Sequence, residues 1–456
     1  MPVTDQNALQ GFADHSYRVS ALQEHGVLQE RDIRAEGRRQ HDQVQLVLRF
    51  DGPVDHEALN RSLTTIVGRH QPLRTIFPNQ CDPPMAVVTP PQTSYLVVAE
   101  AESAAPELDE ILGLGHQDSI DIQSGPTACF DLVVVTEVES YLIISIDHLA
   151  ADGVASLRLI AAELESCYRA EVTGRRAALP ALAVSYGDFA TAHRRRLGPE
   201  NRRRLVAEWR GRLPPDVPEP SLALAPRPGA TGDELGAAEV EVVELPRSLD
   251  DRLRDIRGSY RVTNFQLFMA ALLGAQQTIA GGDGVGAMFP VDIRSPYGAE
   301  NLVGRFSDLS VIWIEPPPDT TAEQLLTEVR ARILRSHALA DLPLGEIVRT
   351  YYPQAYGRSR FPPYLFFSVR QPDLREWTAG ALRVAPVDLA QRSRIHLHPG
   401  LKVSLVTNQG LARLECQYAT AAYPADGVRR LLTLAVEYVR RLADRPDSLT
   451  GQLGTA

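Results

Sequence analysis

The first half of the sequence alternates apolar runs of strand length with longer segments in which apolar residues recur at helical spacing. QVQLVLRF (43–50) has the β-branched and apolar character of a strand. PVDHEALNRSLTTIVGRH (53–70) then carries leucine, isoleucine and valine at helical spacing, which predicts a helix with Asp55 as its N-cap. This alternation of strands and helices predicts an α/β or α+β fold.

The most apolar stretch of this half ends in a polar turn. YLIISID (141–147) is nearly continuous in apolar residues, as expected of a strand that is covered on both faces. His148 lies in the turn, with Asp147 before it and Asp152 and Gly153 after it. Asp152 suits the N-cap of the helix that follows, and Gly153 lacks a side chain that would keep a ligand or another backbone segment away.

A polar helix and a proline-rich segment divide the chain. Residues 193–213 contain HRRRL and NRRRL and predict a helix that connects two halves. Residues 214–236 are rich in proline and glycine, which predicts an irregular crossing at the surface. We therefore predict a first lobe at 1–175, a connector at 176–236 and a second lobe at 237–456.

The second half shows a similar alternation of predicted strands and helices. AEVEVVELP (238–246) predicts a strand, and residues 248–281 predict one or two helices. GGDGVGAMFPVDIR (281–294) predicts a tight turn that leads into another strand. FPPYLFFSVR (361–370) places proline before an aromatic strand that we expect in the core.

Composition and charge limit the classes of function. The 456 residues are enough for two lobes around one cleft, and 44% hydrophobic with 23% charged residues is ordinary globular composition. No run of eighteen apolar residues and no secretion signal occur, so we expect no membrane association and a cytoplasmic location. Four cysteines without paired spacing predict no disulfide framework. A net charge of −10 argues against nucleic acid as the main partner.

The local residues alone leave two interpretations of His148 open. A histidine at a strand end, between two carboxylates and beside a glycine, has the chemistry of a general base, since imidazole ordinarily titrates near pH 6.5. Histidines that cap or fill loops are more common, however, and the same pattern fits an N-cap aspartate beside such a residue. The surrounding segments have to decide between the two.

The turn HLAADG resembles the HHxxxDG motif of the condensation domains of nonribosomal peptide synthetases and of related acyltransferases, which share the chloramphenicol-acetyltransferase fold. Other segments resemble the family pattern in the same order and extend the resemblance over residues 15 to 450. They are SALQ (20–23), RHQPLRTIF (69–77), SYGDFATAHRRRL (185–197) with EWRGRL (208–213), the block 265–309 that ends in FSDL, and LECQYATAAYPADGVRRLL (414–432).

This resemblance implies two chloramphenicol-acetyltransferase-like lobes that form a V-shaped pseudo-dimer with a tunnel between them. It places His148 at the centre of the tunnel, where the residue deprotonates or orients the amine or hydroxyl that attacks an acyl thioester. The acyl group is carried on coenzyme A or on the phosphopantetheine arm of a carrier protein. We expect no tightly bound cofactor, because the thioester is a co-substrate.

The resemblance also assigns roles around the turn. Asp152 is expected to pair with Arg294 of PVDIRSP and so to fix the loop that carries His148. Gly153 is expected where the backbone polarises the thioester oxygen. The first histidine of the family motif is Asp147 here, and we expect the carboxylate to be tolerated; the alternative is that its charge favours the protonated imidazole and weakens a general base.

Two further residues are expected to line the tunnel. Asp308 in FSDLS stands where the family has asparagine, which changes the expected lining. Ser368 lies in the segment that walls the tunnel and offers a polar contact. No metal site is expected, because His396 and His398 share a strand face but lack a third ligand of matching spacing.

We expect a stand-alone condensation-type acyltransferase that forms an amide or ester in specialised-metabolite assembly, such as antibiotic biosynthesis. With no adenylation or carrier segment in the sequence, the carrier protein and a small-molecule amine or alcohol are expected as partners in trans. The arginines of HRRRL and NRRRL form either a solvated face or a docking patch for an acidic carrier. Two alternatives stay open: a non-catalytic module that recruits another enzyme, which Asp147 motivates, and a purely coenzyme A-dependent acyltransferase.

Overall fold

Strands and helices alternate along the chain, as the apolar pattern predicts. The computed structural model describes residues 15–35, 37, 42–103, 105–213, 238–280, 284–353, 365–370, 374–389, 400–408 and 411–452. Its strands are β1 (Ser16–Arg18), β2 (Gln43–Asp51), β3 (Thr75–Ile76), β4 (Met85–Val88), β5 (Leu96–Glu100), β6 (Ala128–Thr136), β7 (Glu139–Asp147), β8 (Ala238–Glu244), β9 (Val285–Asp292), β10 (Ser307–Ile314), β11 (Leu365–Arg370), β12 (Trp377–Ala379), β13 (Leu382–Pro386), β14 (Lys402–Asn408) and β15 (Leu411–Ala419). Its helices are α1 (Ala21–Ala35), α2 (His56–Arg69), α3 (Leu108–Gly113), α4 (Val154–Thr173), α5 (Tyr186–Arg196), α6 (Pro199–Trp209), α7 (Asp250–Tyr260), α8 (Asn264–Ala280), α9 (Ala322–Leu339), α10 (Leu344–Tyr351) and α11 (Ala425–Asp444).

The chain divides into two compact units that do not follow chain order. Unit one comprises Met1–Gly198, Asp292–Ser307 and Asp373–Ala390, and unit two comprises Pro199–Val291, Asp308–Pro372 and Gln391–Ala456. These units differ from the lobes predicted at 1–175 and 237–456, because two later segments of the chain pack with unit one. One of these segments carries Arg294, and the other adds the antiparallel β12–β13 hairpin to the edge of the sheet of unit one.

The six-stranded sheet of unit one has the order β12-β13-β2-β7-β6-β5, beside a small β1-β4-β3 sheet. β7 lies inside the large sheet and runs antiparallel to β2 and β6. Leu142, Ile144 and Ile146 pack on one face with residues of α2 and α4, whereas Ile143 packs on the other face with Val47. The strand is therefore covered on both faces, as its sequence predicts.

The six-stranded sheet of unit two has the order β10-β9-β11-β14-β15-β8. β14 pairs in parallel with β11 and in antiparallel fashion with β15. Val403 and Leu405 of β14 are buried in a core to which α8, α9 and α11 contribute. Two sheets covered by helices confirm the predicted α/β class.

The local predictions succeed where apolar spacing decides them. Asp55 caps α2, since its Oδ1 accepts the backbone N–H of Ala58 at 2.9 Å. Residues 248–281, predicted as one or two helices, form α7 and α8, and Arg261 between them has a φ of 51°. The break agrees with the cost of continuing a helix through a left-handed backbone conformation.

The polar segment 193–213 forms two helices and not the single connector helix that the sequence predicts. α5 ends at Arg196 and α6 begins at Pro199. Proline has no backbone N–H to continue a helix but fits the first helical position. α5 belongs to unit one and α6 to unit two. Residues 214–236, predicted as an irregular crossing, lie outside the described residues.

Candidate active site

The turn that carries His148 is held by backbone hydrogen bonds. The carbonyl of Asp147, the last residue of β7, accepts the N–H groups of Ala150 at 2.9 Å and Ala151 at 3.2 Å. The N–H of His148 itself donates to the carbonyl of Asp42 at 2.8 Å. These bonds fix the backbone on both sides of the imidazole, so the direction in which the ring leaves the turn is determined by the fold.

Gln23 fixes the same turn from α1. Its Nε2 donates to the carbonyl of Leu149 at 2.8 Å, and its Oε1 accepts the N–H of Ser20 at 3.2 Å. The Ser20 hydroxyl in turn accepts the N–H of Gln23 at 3.2 Å, which completes a capping box at the start of α1. The family signature SALQ does not indicate this role, although its Ser-x-x-Gln spacing alone predicts the box.

The imidazole ring of His148 has a nitrogen without a described hydrogen-bond partner. The side chain is half-buried, and its Nδ1 is buried without a hydrogen-bond partner among the residues that the structure describes. Buried polar atoms in native proteins are usually paired, and an exception calls for an explanation. A ligand atom that bonds to this nitrogen is one such explanation.

Asp152 joins the turn to the start of α4 and to Arg294. Its Oδ1 accepts the N–H of Ser156 at 2.9 Å, so it caps the helix as predicted, although Gly153 occupies the formal N-cap position. Its Oδ2 lies 2.5 Å from Nη1 of Arg294 and also accepts the N–H of Phe306 at 3.4 Å. The expected aspartate–arginine pair is therefore present in unit one.

Arg294 is enclosed by partners of several kinds. Its Nη2 donates to the hydroxyl of Ser156 at 3.1 Å and to the carbonyl of Gly304 at 3.4 Å. Asp292 pairs with Nη1, and the guanidinium carbon lies 4.4 Å from the centroid of the Phe306 ring. Only 4% of the side chain is exposed. Ser156 gave no signal in the sequence, because a small polar residue in a first helical turn is common.

Asp147 is buried and forms a local turn of its own. Its Oδ1 accepts the N–H of Leu149 at 2.8 Å, the bond of an Asx turn. Burial raises the pKa of the carboxyl from 3.8 to about 7, and the nearby charges of Asp42 and Glu30 add to the increase, while the Leu149 N–H and the charge of Arg305 oppose it. A substantial fraction of the carboxyl is therefore neutral at neutral pH, which reduces the charge beside the imidazole.

Replacing Asp147 with asparagine should stabilise the protein above neutral pH. The folded state binds the Asp147 proton more tightly than the unfolded state, so wild-type stability falls as the pH rises from about 4 to about 7. Asparagine keeps the amide oxygen that accepts the Leu149 N–H but has no charge to bury. We expect Asp147→Asn to be more stable by up to about 4 kcal/mol at pH 8, with the advantage shrinking toward pH 4.

Urea unfolding at pH 5 and pH 8 measures this difference. The control is Asp118→Asn at an exposed position, which should change stability by less than about 0.5 kcal/mol at either pH. An Asp147→Asn variant that is less stable than wild type at pH 8 would show that the charged carboxylate is favourably solvated or paired.

Gly153 leaves open space at the start of α4. Its φ of −64° suits any residue, and an added Cβ would meet only Val44 Cγ1, at 3.7 Å. Backbone conformation therefore does not require glycine here. A requirement for access by a ligand, as the resemblance implies, stays a prediction.

Asp308 and Ser368 lie in unit two and have structural contacts there. Asp308 Oδ2 accepts the N–H of Leu344 at 2.8 Å and so caps α10, and its Oδ1 accepts the N–H of Leu309. The hydroxyl of Ser368 lies 3.3 Å from that of Ser404 on β14. Of the residues predicted for the site, unit one brings together those of the turn and Arg294. The expected roles of Asp308 and Ser368 toward a substrate stay predictions.

The arginines of HRRRL and NRRRL do not form one free patch. Arg194 lies 3.2 Å from Glu24 and also donates to backbone carbonyls at the start of α1. Arg196 lies over Tyr297, and Arg202 pairs with Glu346 in unit two. Arg195, in contrast, is exposed and lines a surface groove of unit one with Val184, Phe189 and Tyr297.

The described part of the chain contains no group of three or more histidine, cysteine or acidic side chains placed to hold a metal ion. His396 and His398, the pair weighed from the sequence, lie outside the described residues. None of the described helices combines the length and apolar character needed to span a bilayer.

Two helix-covered sheets, with a histidine turn fixed by a buried aspartate–arginine pair, define a chloramphenicol-acetyltransferase-like α/β protein. The chain belongs to the condensation-domain family, because the family model described as Condensation domain matches residues 14–456. This match confirms the resemblance that the motifs indicated.

Individual relatives agree with this assignment. Enniatin synthase of Fusarium equiseti is 24% identical over 409 residues, which cover 89% of this chain and 13% of that synthase. The X-domain in its complex with OxyB from teicoplanin biosynthesis is 19% identical, covers 96% of both chains and superposes with a TM-score of 0.77. The first condensation domain of the calcium-dependent antibiotic synthetase is 17% identical, with a TM-score of 0.73 and coverage of 96% of this chain and 98% of that domain.

Proposed function

We propose that this condensation domain transfers an acyl group from a thioester to an amine or alcohol, and so forms an amide or ester in the assembly of a nonribosomal peptide or related specialised metabolite. The observation that carries the proposal is the turn at 147–153. Hydrogen bonds from Gln23 and the Asp152–Arg294 pair fix it, while Nδ1 of His148 has no partner among the described residues. A fixed turn with an unsatisfied imidazole is what a proton acceptor in a preorganised site needs.

The chemistry follows from a single acyl transfer. As the amine or hydroxyl attacks the carbonyl carbon, the C–S bond breaks and a C–N or C–O bond forms. A ring nitrogen of His148 accepts the proton of the nucleophile and passes it to the departing thiolate, so the products are the amide or ester and a free thiol. We expect the backbone beside Gly153 to polarise the carbonyl oxygen, and the room at this position, where a Cβ would meet only Val44 Cγ1, supports that role.

The donor is an acyl group on phosphopantetheine, borne by a carrier protein or by coenzyme A. Arg195 supports the carrier: it is exposed beside an apolar groove, and an acidic carrier surface would complement its charge. Arg194 and Arg196 are less suited to docking, because each already contacts its own unit.

Reversing the charge of Arg195 should weaken the carrier-dependent reaction. We expect Arg195→Glu to raise the KM for an acyl carrier about three- to tenfold with kcat unchanged, because rim charges act mainly on association. The control is Arg203→Glu on α6, also exposed but in unit two. Unchanged turnover at limiting carrier concentration would remove the docking role, and an equal loss with acyl-coenzyme A would assign Arg195 to the fold.

Mass spectrometry of reaction mixtures tests the proposed activity. Purified protein is incubated with acyl-loaded carrier or acyl-coenzyme A and a panel of amines and alcohols, and a new amide or ester with release of free thiol is the expected result. Heat-denatured protein is the control. Product with coenzyme A thioesters alone would favour the carrier-independent form of the enzyme.

A recruiting module is the second candidate, and Asp147 favours it. A carboxylate replaces the first histidine of the family motif, and the X-domain that shares this fold is found in a complex with OxyB. A protein that yields no product across the panel but binds an assembly-line enzyme in a pull-down would have this role. The Asp152–Arg294 pair and the Nδ1 of His148, which has no described hydrogen-bond partner, support catalysis instead.

A further inference from the structure

Lys402 is chemically unique in this chain. Of its 47 lysine and arginine residues, this one alone is a lysine. It begins β14, an inner strand of the sheet of unit two, and lies opposite Phe366 on β11 and Gln417 on β15. Its neighbour Val403 is buried in the core with the helices, and since side chains alternate along a strand, Lys402 projects from the opposite face.

That opposite face carries a row of polar side chains next to Lys402, although Phe366 and Val406 also lie on it. Ser368, Ser404 and Glu415 lie side by side in register across β11, β14 and β15, and the two serine hydroxyls are 3.3 Å apart. Ser404 and Glu415 are both buried. The two hydroxyls lie one step along the sheet from Lys402, which is about 7 Å at strand spacing.

The charged residues of this face differ in whether they are paired. Glu415 pairs with Arg370 and, at 2.6 Å, with Arg413. Lys402 makes no ion pair with any residue that the structure describes. Glu244 on β8 lies opposite Arg413 in register, so Lys402 is the cation of this face without a described counter-ion.

The positive charge of Lys402 has no described counter-ion and is partly withdrawn from water. Its side chain keeps contact with solvent, yet partial loss of hydration and the charge of Arg370 lower the pKa of its ammonium group. An anion placed beside it would supply the counter-ion that the described residues do not, and the Ser368 and Ser404 hydroxyls lie on the same face as donors.

We propose that the polar face of β11, β14 and β15 binds the oxyanion of a small molecule, a carboxylate or a phosphate, with Lys402 as its cation and the hydroxyls of Ser368 and Ser404 as donors. The site belongs to unit two, and the resemblance indicates only its Ser368, as a residue of the tunnel wall; Lys402 and Ser404 are not among the residues that the family motifs indicate. The proposed anion binding is a property separate from acyl transfer, and it can be measured without turnover.

Amine acetylation tests the proposal directly, because the chain offers one lysine besides its α-amino group. The full-length protein is treated with an N-hydroxysuccinimide ester of acetic acid in sodium phosphate, sodium acetate or sodium chloride at equal pH and ionic strength. Intact-mass and peptide analysis follow the two sites separately. Lys402 should react at least threefold more slowly in one of the oxyanion buffers than in chloride, while the α-amino group reacts equally in all three.

The pattern of protection identifies the anion. Protection by phosphate alone assigns a phosphate group, and protection by acetate assigns a carboxylate. Equal rates at Lys402 in all three salts would overturn the proposal.

Thermal unfolding provides the second measurement. The protecting anion should raise the melting temperature of wild type and of Arg430→Met, an exposed cation on α11, but not of Lys402→Met. An equal rise in Lys402→Met would place the anion elsewhere and refute the assignment. Neither result depends on acyl transfer, so this proposal can fail while the proposed enzymatic function stands.

Discussion

Replacing His148 with alanine should lower the rate of product formation about 10²- to 10⁴-fold while leaving the fold intact, because that is the usual contribution of a positioned general base. The ring has no hydrogen bond or ion pair with the described residues, so its removal breaks no interaction of these two kinds. We expect the free energy of unfolding to change by less than about 1 kcal/mol. Single-turnover kinetics with the donor and acceptor that give product measure the rate, and urea unfolding measures the stability.

His56→Ala is the matched control, since His56 is exposed at the first position of α2 in the same unit. It should keep the wild-type rate. If His148→Ala also kept full activity, the base assignment would be wrong although the acyltransferase would stand. If it lost activity together with several kcal/mol of stability, His148 would be a structural residue.

The sequence predicted those parts of the fold that depend on local spacing. β7 reads as a continuous apolar run because both of its faces are buried, and α2 reads as a helix because Asp55 and the leucine spacing act within a few residues. The two units could not be predicted in this way. Arg294 follows His148 by well over a hundred residues, and only the folded chain shows that its segment packs with unit one.

The candidate site, like the fold, was predictable only in part. The motif indicated His148 and the Asp152–Arg294 pair, because those residues occupy recognisable positions. The state of Asp147 was not predictable, since its raised pKa results from burial and from Asp42 and Glu30. For the arginines of 193–213 the sequence left a solvated face and a docking patch both open, because adjacent letters do not show which side chain already has a partner.

Replacing Arg294 with methionine should cost about 3 to 5 kcal/mol of stability, because it leaves the Asp152 carboxylate buried without its cation. Methionine has a similar length and packs against the Phe306 ring, so the loss measures charge and hydrogen bonding more than volume. Asp152 is only 2% exposed and would retain just the N–H groups of Ser156 and Phe306. Urea unfolding of the full chain measures the change.

Because Arg294 also pairs with Asp292, removing Asp152 and removing Arg294 should cost different amounts of stability. This difference tests the buried pair more sharply than either variant alone. In Asp152→Asn the arginine keeps Asp292 as a counter-ion, so we expect a smaller loss than in Arg294→Met. Adding Asp152→Asn to Arg294→Met should recover part of the stability, because the carboxylate left without a cation is then neutral. The control is Arg383→Met, whose exposed pair with Glu376 is worth about 0 to 1 kcal/mol. If Arg294→Met lost no more than this control, the buried pair would not be what fixes the His148 turn, and the turn would depend on Gln23 and Asp147 instead.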